Sequence, residues 1–278
     1  FGWVRTLDME EVMFPIRKPA VAGMFYPSAR DELHALLQDF LAAAAPGGPA
    51  PKALIVPHAG YVYSGPIAAT AYAQLRAARD EIRRIVLLGP SHRVPFRGIA
   101  LSSAQVFTTP LGDIPLDREA VEAIRYLPQV QVLDRAHSLE HSLEVQLPFL
   151  QEVLGEFSLV PLVVGDASAA QVAEVLEILW NGPETRLVIS SDLSHYHDYE
   201  TARRMDSATS RAIEALDPEA IGYEDACGRV PVMGLLAAAR RHGLHVRTLD
   251  LRNSGDTAGP RDQVVGYGAY VFDQPAEH

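Results

Sequence analysis

Three apolar runs in this sequence each end in side chains that can bind a metal or move a proton. Ala53-Leu54-Ile55-Val56 runs into His58, Ile85-Val86-Leu87-Leu88 into Gly89-Pro90-Ser91-His92, and Leu187-Val188-Ile189-Ser190 into Asp192 and His195. A neutral imidazole is a common metal ligand and the one side chain that titrates near neutrality unaided, so several on one rim suit metal binding, proton transfer or both. Taken singly, each histidine is better explained as a cap or a satisfied core residue; polar groups delivered together by three separate runs reverse that balance. Cys227 lies in Ala226-Cys227-Gly228-Arg229, just before a helix expected to begin near Pro231 and to turn Leu235, Leu236 and Ala239 inward. Backbone N–H groups at a helix start favour a thiolate, which makes Cys227 a candidate, although a lone cysteine is more often a small apolar residue.

The segment from His137 to Glu144 contains His137-x-x-Glu140-His141. In a zinc peptidase such a pattern holds the metal through two histidines on one helical face and activates water with the glutamate. Five residues are easily matched by chance, and the pattern accounts for none of the groups at the strand ends. Two other expectations stand beside it: a helix start with Glu140 and Glu144 facing solvent, or a wall of the polar rim to which His141 and Glu144 contribute. Other templates fail on single residues. Arg93 replaces the second glycine of a nucleophile elbow, Pro66 stands where a phosphate-binding lysine would be, and no helix opens after Gly266-Tyr267-Gly268, so no nucleotide cofactor is expected.

These groups need elements to position them. Leu33, Leu36, Leu37, Phe40 and Leu41 recur at helical spacing behind a Ser28 cap, and Pro46-Gly47-Gly48-Pro49 ends that pattern. Gly60 to Gly65 reads as a turn into an Ala-rich helix started by Pro66, and Leu159 to Val164 as a fourth buried strand before a helix from about Ser168 to Trp180. Strands apolar on both faces and alternating with helices predict an α/β fold with a mostly parallel or mixed central sheet, helices on both faces, and ligands beyond the carboxyl ends of the strands. Val246 to Leu251 and Gly266 to Phe272 alternate like antiparallel strands added at an edge, and Gly255 to Pro260 reads as a flexible loop.

The 278 residues, 48% of them apolar, suffice for one large core. One domain over 15–278 is expected, with 1–14 a separate, poorly ordered segment. A net charge of −11 and scattered Arg and Lys exclude a nucleic-acid partner. A single cysteine forbids an intrachain disulfide and fits a reducing, cytoplasmic setting, and no apolar run approaches the roughly 20 residues a membrane span needs.

Five ordered motifs together resemble the MEMO family, which in prokaryotes includes AmmeMemoRadiSam system protein B. They are Pro57-His58-Ala59-Gly60-Tyr61, Gly89-Pro90-Ser91-His92, Glu140-His141-Ser142-Leu143-Glu144, Ser190-Ser191-Asp192-Leu193-Ser194-His195 and Cys227-Gly228-Arg229, with Ala20 to Pro27 resembling the family's start. The resemblance implies a fold similar to class III extradiol dioxygenases, non-haem iron enzymes that use two histidines and a glutamate. It implies that His58 and His92 are metal ligands, that Cys227 stands where the glutamate stands, and that His195 takes the acid–base position; Asp192 is expected to orient a ligand or to position His195. Tyr61, Glu140, His141 and Glu144 would line the pocket. A thiolate in place of a carboxylate favours copper or zinc, or a different iron chemistry. The expected function is thus a metal-dependent oxidoreductase using iron(II) or copper, with zinc as a further choice and a small aromatic or peptide ligand. The alternative is a non-catalytic metal- or peptide-binding module that works with radical-SAM and AMMECR-like partners.

Overall fold

A computed structural model describes residues 15–45 and 47–274. The expectations for 1–14 and for Pro46 lie outside the described residues. In chain order the strands are β1 (Ile16–Arg17), β2 (Ala53–Val56), β3 (Arg84–Pro90), β4 (Ile99–Leu101), β5 (Val106–Thr109), β6 (Gly112–Pro115), β7 (Val130–Val132), β8 (Ser158–Val164), β9 (Thr185–Ser190), β10 (His195–His197), β11 (His245–Asn253) and β12 (Val264–Asp273). Nine of them form one mixed sheet in the order β10-β12-β2-β9-β3-β8-β4-β7, with β11 paired to β12. The central β2, β9, β3 and β8 run parallel, so their carboxyl ends share one edge. β11 and β12 are antiparallel and β12 joins β2, as the alternation of the tail predicts.

The middles of the central strands are apolar because both faces are covered, with polar residues only at their ends. Leu54 and Val56 of β2, Ile85 and Leu87 of β3 and Val188 of β9 point into a core shared with the helices Arg30–Ala43, Tyr61–Tyr72 and Leu147–Leu154. Ala53 and Ile55, Val86 and Leu88, and Leu187 and Ile189 point the other way, toward the helices Ala169–Leu179 and Arg229–Arg241. The fold is therefore a single α/β domain with a mixed sheet flanked by helices on both faces.

Several local readings change. Ala29, not Ser28, is the N-cap of the first helix, and its side chain makes no cap bond. The second helix begins at Tyr61 with Pro66 inside it. Pro66 lacks only the one N–H that would have reached Val62, and the buried face Ile67, Ala68, Ala69, Ala71 and Tyr72 outweighs that loss. The helix after Cys227 starts at Arg229 behind a Gly228 N-cap. The Gly255–Pro260 stretch is partly ordered: Asn253 and Asp256 form a reciprocal cap on a short helix, Ser254–Thr257. No described helix is long and apolar enough to cross a membrane.

Candidate metal centre

Each strand end delivers its polar group into a hydrogen-bond network that dictates which atom it presents. His58 is buried beyond the end of β2, and its backbone N–H donates to Asp192 Oδ1 at 2.7 Å. Its Nδ1 lies 2.8 Å from Ser190 Oγ. The single hydroxyl proton of Ser190 goes to the Ser142 carbonyl, 2.6 Å away, and Gln146 Nε2, tied also to the Pro57 carbonyl, donates into the same Oγ. Ser190 can therefore only accept from His58, so Nδ1 carries the proton and Nε2 presents a lone pair. The same logic fixes His92. Its Nδ1 donates to Glu140 Oε1 at 2.8 Å and its backbone N–H to Oε2 at 2.5 Å, leaving Nε2 free. Glu140 also accepts from the backbone N–H of His141 and Ser142. Burial opposes its charge, but the bonds from His92 and the backbone outweigh burial and bring its pKa down to about 2.

His141 completes the group. Its ring stacks on that of His92 with centroids 4.6 Å apart and meets the His58 ring edge-on at 5.4 Å. Among the described residues, His58, His92 and His141 each offer a ligand atom, all within 4.8 Å of one another. Burial and the neighbouring imidazoles hold His58 well below its ordinary pKa, and burial then His92 lower His141 as well, so these rings stay neutral and able to ligate. Among the described residues His141 Nδ1 is buried without a hydrogen-bond partner, 3.5 Å from an oxygen of Glu140. The neutral His58 and His141 rings, two Nδ1 atoms committed to neighbouring acceptors and an orphaned nitrogen fit a transition-metal ion.

Cys227 reaches the site from the far side of the sheet. Its Sγ is 3.2 Å from His58 Nε2, within reach of that lone pair, while the mutually close group comprises the three histidines. Burial, with the Asp192 carboxylate adding to it, pushes the thiol well above its usual range. Gly228 permits this approach: a Cβ there would lie 2.7 Å from Ser191 Cβ and 2.8 Å from the Ser190 carbonyl. Gly228→Ala is expected to displace the Cys227 turn and lower stability by about 1–3 kcal/mol in thermal unfolding; an unchanged melting temperature would contradict that packing. Asp192 is buried, which raises its pKa, and it holds the His58 backbone. His195 Nδ1 donates to the Leu193 carbonyl at 2.8 Å, so its Nε2 is also free.

Other expected site residues face elsewhere. The helix carrying His137 ends at Ser138, so His137 and His141 do not share a helical face. His137 Nε2 bonds the Ala100 carbonyl and its ring packs on Phe107, which removes the basis of the peptidase reading. Glu140 and Glu144 are buried rather than facing solvent. Glu144 does not line the site: its two oxygens take Arg17 Nη1, the N–H of Ala20 and Val21, and the Tyr26 hydroxyl. The Tyr61 hydroxyl donates to the Val145 carbonyl inside the core.

The arrangement makes stability pH-dependent. Burial, aided by Arg17, holds His137 down at about 4 against the bond to Ala100. A depressed folded pKa contributes stability that is full above the ordinary value of 6.5 and is lost as pH falls through about 4. Glu140 contributes in the same sense from 4.5 down through about 2. Each group is worth about 3 kcal/mol. The metal-free protein should therefore lose melting temperature steadily from pH 6.5 downward, and a flat profile between pH 6.5 and 4 would refute the His137 assignment.

Comparison with known proteins agrees with the ordered motifs. The profile of the family described as Memo-like protein matches residues 17–271. The chain belongs to the Memo-like family. A "MEMO1 family protein" of Aeropyrum pernix is 40% identical over 277 residues, covering 91% of this chain and 98% of its own. Relatives of the same name from Aquifex aeolicus and Thermotoga maritima are 38% and 40% identical, covering 92% and 90% of this Memo-like chain and 99% and 97% of theirs. The crystal structure of an uncharacterized protein from Escherichia coli K12 superposes with a TM-score of 0.52 at 14% identity, over 79% of this chain and 98% of that one, and shares the fold.

Proposed function

We propose that this Memo-like protein is a metal-dependent oxidoreductase whose metal is held by His58, His92 and His141 beside Cys227. What carries this reading is the convergence of three imidazoles from separate segments, two with their Nε2 lone pairs committed to the site by Ser190 and Glu140. Iron(II) or copper suits such donors and would supply redox chemistry when bound, with zinc a redox-silent occupant. The protein's own part is proton handling and positioning. His195, with Nε2 free, takes and returns a proton; Asp192 fixes the His58 backbone; the Cys227 thiol borders the ligand set. A cleft of about 700 Å³ next to Cys227, walled by Phe96, Tyr223 and Val230 with Arg229 at its edge, gives room for a small aromatic or peptide ligand.

Anaerobic reconstitution with iron(II), copper(I) and zinc tests the reading. One equivalent should bind per chain, with oxygen uptake on a panel of phenols in the redox-active forms. His195→Ala should retain the metal and lose turnover. Equal metal uptake by the parent and a His58→Ala, Cys227→Ser double variant would reject the site. Tight metal binding without oxygen uptake, together with a stable complex with a radical-SAM or AMMECR-like partner, would favour the non-catalytic module instead.

A further inference from the structure

A second cavity lies at the opposite edge of the sheet, where β2 and β9 begin and β12 ends. It has a volume of about 820 Å³, and Lys52, Arg186 and Arg247 line it with the carboxylates Glu81 and Asp273 and an apolar wall around Trp180. Lys52 Nζ donates to the carbonyls of Thr185 at 2.9 Å and Gly182 at 3.2 Å, which leaves one of its three protons unassigned. Among the described residues no carboxylate lies within 4.0 Å of it. Arg186 is only 7% exposed; its Nη1 donates to the carbonyls of Pro183 and Thr185, while among the described residues its Nε has no acceptor and its nearest carboxylate, Glu81, is 4.0 Å from Nη2 and half exposed. The third cation, Arg247, is already paired with Asp273 at 2.7 Å.

Lys52 and Arg186 repel each other, and the carboxylates that oppose this, Glu184 for both and Glu81 for Arg186, hydrogen-bond to neither, so a bound anion would offset a cost the protein itself leaves in place. The lysine registers this: burial first, then Arg186, lowers its pKa to about 8. Residues that merely tolerated one another would diverge into solvent, but backbone carbonyls hold the lysine in place. We propose that this cleft binds the oxyanion of a small molecule, a phosphate or carboxylate, between Lys52 and Arg186, with the apolar wall taking the rest of the ligand. This site is independent of the histidine cluster.

Inorganic phosphate at constant ionic strength is the direct probe, followed by the fluorescence of Trp180 in a Trp3→Phe protein, where it is the sole tryptophan. A saturable change is expected, with a rise in melting temperature, and Lys52→Gln should weaken binding by about tenfold or more while leaving metal uptake unchanged. No saturable change in the parent, or the same affinity in Lys52→Gln with its circular dichroism intact, would overturn the proposal. Arg186→Gln provides a second check wherever that variant folds.

Discussion

A Glu140→Ala protein is expected to lose both stability and metal affinity. Its carboxylate accepts from four donors: the ring and backbone of His92 and the backbone N–H groups of His141 and Ser142. Removing it leaves buried donors without acceptors, a loss of about 3 kcal/mol. It also frees the His92 ring to rotate and to exchange tautomers. Loss of such an orienting partner costs about 10- to 100-fold in metal affinity. Glu140→Gln separates the two effects, since an amide can still accept from the backbone but supports the His92 tautomer less well. Competitive metal titration beside thermal unfolding reads both. Unaltered affinity in Glu140→Ala would show that His92 does not ligate through the tautomer assigned.

Glu144→Ala should be the most destabilising single change. Arg17 and Glu144 are 6% and 0% exposed, their charged atoms 2.5 Å apart. Deleting the carboxylate leaves a buried guanidinium without its counter-charge and three further donors without their acceptor. Breaking such a pair costs about 3–5 kcal/mol, which for a chain of this size lowers the melting temperature by on the order of 10 °C. The consequence reaches the site because Arg17 also donates to the carbonyls of His137 and Glu140 and so braces the loop that carries His141. The variant should accordingly bind metal more weakly even below its melting point. A drop of less than about 1 kcal/mol would contradict this buried pair.

What the sequence discloses follows from how local each determinant is. The apolar runs of β2, β3 and β9 are legible because burial on both faces leaves no polar residue to interrupt them, and His58, His92 and Asp192 follow from those runs. The capping box that starts the helix Ala169–Leu179 is likewise written in Ser168 and Gln171. His141 as an equal member of the cluster is not legible, because its segment reads as helical. Only the Glu140 side chain, by capturing the N–H groups of His141 and Ser142 and reaching across to His92, turns that segment out of a helix and onto the strand ends. One signal could have found it: a carboxylate beside a histidine, in a segment whose partners are distant imidazoles, suits an orienting role as well as a wall. The Arg17–Glu144 pair joins residues far apart in sequence, and nothing local announces it.

The most direct measurement is diffraction at a metal absorption edge from crystals grown with iron(II) or zinc. An anomalous peak should lie about 2.0–2.1 Å from Nε2 of His58, Nε2 of His92 and a ring nitrogen of His141. A peak confined to the surface, with His58 Nε2 still engaged by the Cys227 thiol, would contradict the metal centre.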